Sequence, residues 1–174
     1  MSRRALIPCL GVLFCLLSAP VAPDARGADW TLQVDPLTTA LGFVHIQVEY
    51  AIDDHWSVYA GPSLRLFNGL LAEDGDVDFT GLGGEVGLRW FFNGGAPAGW
   101  WAQVRGVLAH LSVDDADATG AGGYVSLVAG HTWIIDGWFV LAAGLGVQYL
   151  DYEIAGSGPK GILPAAHTTI GVAL

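Results

Sequence analysis

The sequence contains little charge, and positive charge is especially scarce. Only 14% of its 174 residues are charged, and 7 basic residues against 17 acidic ones give a formal net charge of −10. Nucleic-acid binding needs a basic surface, so we expect no nucleic-acid partner. At 52% hydrophobic residues the chain is also too apolar to be disordered. Its length suits a single domain.

The N-terminus has the three parts of a secretory signal peptide. Arg3 and Arg4 supply a positive start, an apolar run follows over 5–17, and a stretch rich in small residues comes next. We therefore predict a signal peptide at 1–28 and a mature domain at 29–174. The alternative is that the apolar run is retained as a membrane anchor.

The predicted mature domain lacks cysteine and lacks long apolar runs. Cys9 and Cys15 both lie inside the signal peptide, which leaves no disulfide, thiol nucleophile or cysteine metal ligand in the mature domain. From Trp30 onward no apolar run reaches the 18 residues that indicate a transmembrane helix.

Apolar residues instead alternate with other residues along most of the mature domain, which is the pattern of β-strands. Between Val44 and Ile52, for example, His45, Gln47 and Glu49 occupy positions between apolar side chains. Seven alternating stretches of this kind follow residue 42, although some are interrupted by glycine.

An eighth strand comes from dividing the stretch Trp30–Ile52, which is about twice the length of a membrane-spanning strand. We place strands at Trp30–Thr39 and Gly42–Ile52, with a turn near Ala40-Leu41. One long bent strand in an unclosed sheet is the alternative.

The segments between the strands are alternately short and long. Short turns such as 53–55 and 135–137 alternate with longer segments at 69–79, 114–120 and 154–163, of which the first two are acidic. Outer-membrane barrels have this asymmetry of short periplasmic turns and longer external loops. We therefore predict an all-β fold, an eight-stranded antiparallel up-and-down transmembrane β-barrel. A soluble lipocalin-like carrier, with its apolar face inside, is a competing interpretation.

The positions of tryptophan favour an apolar face that points outward. All seven tryptophans fall at the start of the first strand or beside the short turns. Amphipathic indole rings form such girdles at membrane interfaces. The predicted girdle consists of Trp30, Trp56, Trp90, Trp100, Trp101, Trp133 and Trp138.

The few charged residues within strands share the opposite, inward face. Buried charges require pairing, so we expect an ion-pair network in the lumen, with Arg89 and Arg105 as partners for Glu85 and Glu49. Such a network could form a selective path, but a plug is favoured because eight strands enclose only enough room for side chains. The predicted network consists of Glu49, Arg65, Glu85, Arg89 and Arg105. Glycines such as those in 81–87 would relieve crowding there.

Three segments carry a resemblance to known proteins: 35–37 (Asp-Pro-Leu), 48–50 (Val-Glu-Tyr) and 83–87 (Gly-Gly-Glu-Val-Gly). With the alternation and the girdle, the mature chain resembles the small eight-stranded outer-membrane β-barrels of Gram-negative bacteria, such as OmpX, OmpW and the transmembrane domain of OmpA. The resemblance implies an outer-membrane location, contact with membrane lipid and lipopolysaccharide, and insertion by the barrel assembly machinery. It implies a structural, adhesive or small-solute role, without a cofactor.

An enzymatic alternative rests on one short motif. Some small barrels deacylate lipid A with a His-x-Ser pair and an acid, and this chain has His110, Ser112 and nearby Asp114. A nucleophile beside a base is what acyl transfer needs. The residues that follow the serine in that family are absent here, so we expect no catalysis.

Two acidic segments could attract divalent cations weakly. Asp74, Asp76 and Asp78 have the spacing of an EF-hand calcium loop, but Phe79 replaces the glycine that the turn of such a loop needs. The five histidines show no metal-ligand spacing. We therefore expect no specific metal site. The acidic residues concerned are Glu73, Asp74, Asp76, Asp78, Asp114, Asp115 and Asp117.

Overall fold

A computed structural model shows one closed barrel of eight antiparallel strands. Each strand pairs with the next along the chain, and the last strand pairs with the first. The predicted eight-stranded, up-and-down, antiparallel all-β fold is therefore confirmed. The strands are β1 (Trp30–Val34), β2 (Phe43–Ala51), β3 (Trp56–Arg65), β4 (Phe79–Phe91), β5 (Gly99–Val113), β6 (Ala118–Ile135), β7 (Phe139–Asp151) and β8 (Lys160–Ala173).

The structure describes residues 28–40, 42–65, 79–113, 118–152 and 160–174. Apart from Ala28, the predicted signal peptide lies outside these ranges. The acidic residues of both segments singled out above, 73–78 and 114–117, also lie outside them. Within the described ranges, no helix has the length and apolar character needed to cross a membrane.

The prediction for the first strand is wrong beyond Val34. The chain leaves the sheet there and forms a short helix, α1 (Pro36–Ala40). Proline lacks an N–H and suits the first position of a helix. Asp35 caps the helix, since its Oδ1 accepts a hydrogen bond of 3.0 Å from the Thr38 backbone N–H. The barrel wall is consequently shorter at β1 than elsewhere.

Two later strands extend into segments that we predicted as loops. β6 begins at Ala118 and β8 at Lys160. They begin early because the strand before each one is long: Ser112 of β5 pairs with Thr119, and Asp151 of β7 pairs with Lys160. Antiparallel pairing thus continues through residues whose local sequence favours a loop.

The two faces of the barrel wall differ sharply in polarity. Apolar side chains cover the outer wall, where Leu108 is 76% and Leu82 65% exposed. Polar side chains, in contrast, fill much of the interior. Those buried in the lumen include Thr31, Gln33, Glu49, Ser57, Glu85, Arg89, Gln103, Arg105, His167 and Thr169.

Glycines on the inner face leave room for large side chains, as predicted. Gly87 of β4 lies directly opposite Tyr59 of β3. A Cβ atom on Gly87 would fall 2.1 Å from the Tyr59 ring, closer than any real contact. Tyr59 is only 1% exposed, so its ring depends on this glycine for its place in the lumen.

Candidate functional site: the lumen network

The barrel has two distinct ends. The turn end carries the short connections 52–55, 92–98 and 136–138, and we call the opposite end, where β3 ends and β4 begins, the loop end. Four of the five charged residues predicted for the lumen lie between these ends and come together in two ion pairs. The fifth, Arg65, is the last residue of β3 at the loop end, where its guanidinium lies 4.6 Å from the centre of the Phe43 ring.

The first ion pair joins Glu49 of β2 to Arg89 of β4. Arg89 Nη1 donates to both carboxylate oxygens of Glu49, at 3.0 and 2.9 Å. Both side chains are fully buried. Three further donors reach the same carboxylate: Thr31 at 3.3 Å, Gln33 at 2.8 Å and Ser57 at 2.5 Å.

Arg89 is also satisfied on its other side. Its Nε and Nη2 donate to Gln103 Oε1 at 3.1 and 3.0 Å. Its guanidinium carbon lies 4.5 Å from the Trp101 ring centre and 5.2 Å from that of Tyr59. With its donors engaged and two aromatic faces beside it, Arg89 holds four strands in one fixed arrangement and fills the lumen at that level.

The second ion pair joins Glu85 of β4 to Arg105 of β5. Arg105 Nη2 contacts Glu85 Oε2, and Arg105 Nη1 lies 3.9 Å from Asp35 Oδ2. His45 Nδ1 lies 3.4 Å from the same Glu85 oxygen. Arg105 therefore has two acidic neighbours, whereas Arg89 has one.

His167 of β8 lies between the two arginines. Its Nε2 is 3.2 Å from Arg89 Nη2, and its Nδ1 is 3.5 Å from Arg105 Nη1. His167 thus links the two ion pairs into one network.

Sequence reasoning missed several members of this network. Gln33, Asp35, His45, Gln103 and His167 all contribute side chains to it. Gln33, His45, Gln103 and His167 occupy inward strand positions, so alternation carried the signal. Alternation does not predict the register of the strands, and it is this register that places β8 across the lumen from β4 and β5.

Six of the seven predicted girdle tryptophans lie at the turn end and outside the lumen. Trp30, Trp56, Trp90 and Trp138 are exposed. Trp100 and Trp133 are half-buried, and their ring centres lie 4.9 and 4.5 Å from that of His131.

The assignment of Trp101 to the girdle is wrong. Trp101 is fully buried in the lumen, where its indole N–H donates to Thr132 Oγ1 at 2.9 Å. The physical reason is that consecutive strand residues point to opposite faces, so Trp100 and Trp101 cannot both face outward. Together with Phe91 and Val128, Trp101 forms an apolar cluster in the interior.

His110 and Ser112 of β5 occupy alternate positions and share the outward face at the loop end. His110 is exposed and Ser112 half-buried. Asp114, the third residue of the enzymatic interpretation, lies outside the described residues. In the described part of the chain, no group of three or more His, Cys, Asp or Glu residues could hold a metal ion.

A cavity of about 300 Å³ occupies the lumen on the loop side of the network. Arg105, Gln103 and His167 line it from the network side, and Tyr152 lines it near the end of β7. Burial raises the pKa of the Tyr152 phenol to about 12, so this hydroxyl keeps its proton at neutral pH and can donate a hydrogen bond.

Comparisons with protein-family models, with curated proteins and with solved structures found no match to this chain.

Proposed function

We propose that this chain is an integral β-barrel protein of a bacterial outer membrane, closed to free diffusion and acting through structure or surface contacts. The observation that carries the proposal is the inverted polarity of the barrel. Its exposed wall is apolar and its interior contains buried ion pairs. A water-soluble barrel would need the opposite arrangement, because burying charge and exposing apolar surface to water are both unfavourable.

The turn-end tryptophans support the same proposal. They surround the wall at one level, which matches an interfacial belt. The outer-membrane lipid and lipopolysaccharide are then the immediate partners of the wall, and the barrel assembly machinery is the partner during insertion. The acidic segments would offer weak divalent-cation contacts at the external surface.

The closed lumen argues against an open pore. Arg89 spans the interior between Glu49 and Gln103, and Trp101 and Phe91 fill the space near it. We therefore favour a structural or adhesive role over solute passage.

A charge placed on the outer wall tests the membrane location. Val104 of β5 is 49% exposed and lies four residues from Trp100, near the middle of the proposed membrane. Val104→Arg should destabilise the inserted barrel by about 2–4 kcal/mol and lower its yield in the outer-membrane fraction. The matched control is Asn93→Arg, which puts the same charge on an exposed turn.

The assay is cell fractionation followed by electrophoresis with and without boiling, since folded barrels migrate differently from unfolded ones. The parent and the Asn93 variant should fractionate with the outer membrane and shift on boiling. A parent protein that stays soluble without detergent would refute the proposal, and so would a Val104 variant that inserts as well as its control.

A further inference from the structure

The barrel wall is incomplete on the loop side of the contact between β1 and β8. β1 has 5 residues, whereas β8 has 14. The two strands pair only where Thr31–Val34 lie opposite Ile170–Ala173. In the described residues, no strand pairs with the rest of this edge of β8, and α1 lies against part of it. We call this part of the wall the seam.

Among the described residues, Thr168 of β8 makes two hydrogen bonds to the start of the α1 segment. Thr168 Oγ1 donates to Asp35 Oδ1 at 3.0 Å and accepts from the Leu37 backbone N–H at 3.3 Å. Pro164, further along β8, has no backbone N–H and suits a strand edge. A few hydrogen bonds at one point hold the seam less firmly than a continuous ladder would.

The lumen cavity reaches the outer wall at this seam. Pro164, Ala166 and Leu37 line the cavity, and all three are exposed on the outside of the protein. Arg105 and His167 line the same cavity from the buried network. The cavity thus leads sideways from a polar interior to an apolar mouth in the wall.

The chemistry of the lining favours a ligand with a negative acceptor group. Among the described residues that line the cavity there is no Asp or Glu, and the one permanently charged side chain is Arg105, whose Nη2 already contacts Glu85. Gln103 Nε2, Arg105 Nε and the Tyr152 hydroxyl have no hydrogen-bond partner in the protein. All three side chains are more than nine-tenths buried, and each of these atoms can donate.

We propose that the cavity binds a small monocarboxylate with an apolar tail, which reaches it from the membrane through the seam. The carboxylate accepts from the free donors of Arg105, Gln103 and Tyr152, and the tail lies toward Phe43 and Pro164. A volume of about 300 Å³ is at the lower limit of ligand sites, which suits a chain of medium length. Access through the wall rests on the proposed membrane location.

Octanoate is a suitable probe. The parent protein in lipid nanodiscs, titrated with carboxyl-labelled [13C]octanoate and followed by NMR, should show saturable binding above that of empty nanodiscs. Octanol, which has the tail without the carboxylate, should bind at least about tenfold more weakly, as expected for the loss of hydrogen bonds to a charged group.

Two variants test the carboxylate contacts. Tyr152→Phe removes a hydroxyl that has no partner in the protein and should weaken octanoate binding about tenfold. Gln103→Glu keeps the oxygen that accepts from Arg89 and replaces the free donor with an acceptor, so it should weaken binding at least as much.

A matched pair tests the route. Ala166→Trp places an indole at the mouth of the cavity, and Ala60→Trp places one on the exposed wall of β3, away from the cavity. Octanoate exchange should slow at least about tenfold in the first variant, since a filled mouth obstructs the path, and stay at the parent rate in the second.

The outcomes separate the two proposals. A barrel that inserts and shifts on boiling but shows no saturable octanoate binding overturns this inference alone. Binding with equal exchange rates in both tryptophan variants overturns the lateral route. A chain that does not insert overturns the membrane location, and access through the wall with it.

Discussion

Arg89 is the residue whose loss should damage the barrel most. The Arg89→Met variant keeps much of the side-chain length and removes the guanidinium. Glu49 would then remain buried with three neutral donors from Thr31, Gln33 and Ser57, and without the positive charge that now contacts both its oxygens.

The magnitude follows from burial. Removing one partner of a buried ion pair costs about 3–5 kcal/mol, because the other charge is left uncompensated. The exposed pair between Lys160 and Asp151, at 2.9 Å with both side chains about half exposed, provides the matched control within the same barrel. Lys160→Met should cost about 0–1 kcal/mol.

Urea unfolding in detergent micelles, followed by tryptophan fluorescence, measures both variants on one scale. The double variant Glu49→Gln/Arg89→Met should recover part of the loss, since neither member then carries an unpaired charge. If Arg89→Met costs no more than Lys160→Met, the network does not hold the barrel together and the reasoning fails.

Three further predictions can be tested with the same protein. Parent protein in planar bilayers should be electrically silent, and Arg89→Ala should open a small conductance if it still inserts; a conducting parent would contradict the closed lumen. Lipid A from cells expressing the parent should keep all its acyl chains, as with Ser112→Ala; loss of a chain in the parent alone would establish catalysis. Gly87→Ala should lower the unfolding free energy by about 1–3 kcal/mol through overpacking, because its Cβ would overlap the Tyr59 ring. Gly106→Ala, whose Cβ would meet nothing within 4 Å, should change the urea midpoint little; equal effects would contradict the crowding argument.

Strand alternation predicted the architecture because it reports directly which way each side chain points. It placed Glu49, Glu85, Arg89 and Arg105 on one face, and four charged groups on the inner face of a narrow barrel must lie close together. The pairing of Arg89 with Glu49 across β3 depends on the stagger of the strands, which local sequence does not contain.

The errors have equally local causes. The helix after Asp35 was missed because Trp30–Ile52 was divided into two strands by its length, whereas Pro36 and the Asp35 cap start a helix in the second half of the first predicted strand. Trp101 was assigned to the girdle by its position in the sequence alone. Parity with Arg105, which is assigned to the inward face, places Trp101 in the lumen.

The two arginines of the lumen differ in a way that separates stability from binding. The terminal nitrogens and Nε of Arg89 contact Glu49, Gln103 and His167, which is the arrangement expected of a buried group that stabilises a fold. Arg105, in contrast, retains an Nε without a protein partner beside a cavity, and a buried unsatisfied donor costs about 1–3 kcal/mol. The Tyr152 hydroxyl, which lines the same cavity, also lacks a protein partner, and a ligand in the cavity would satisfy both donors. Tyr152→Phe should accordingly leave the unfolding free energy within about 0.5 kcal/mol of the parent while weakening octanoate binding, whereas Arg89→Met should lower stability first. A Tyr152→Phe variant that loses stability but binds octanoate as tightly as the parent would contradict this division between Arg89, which stabilises the fold, and the cavity beside Arg105, which binds a ligand.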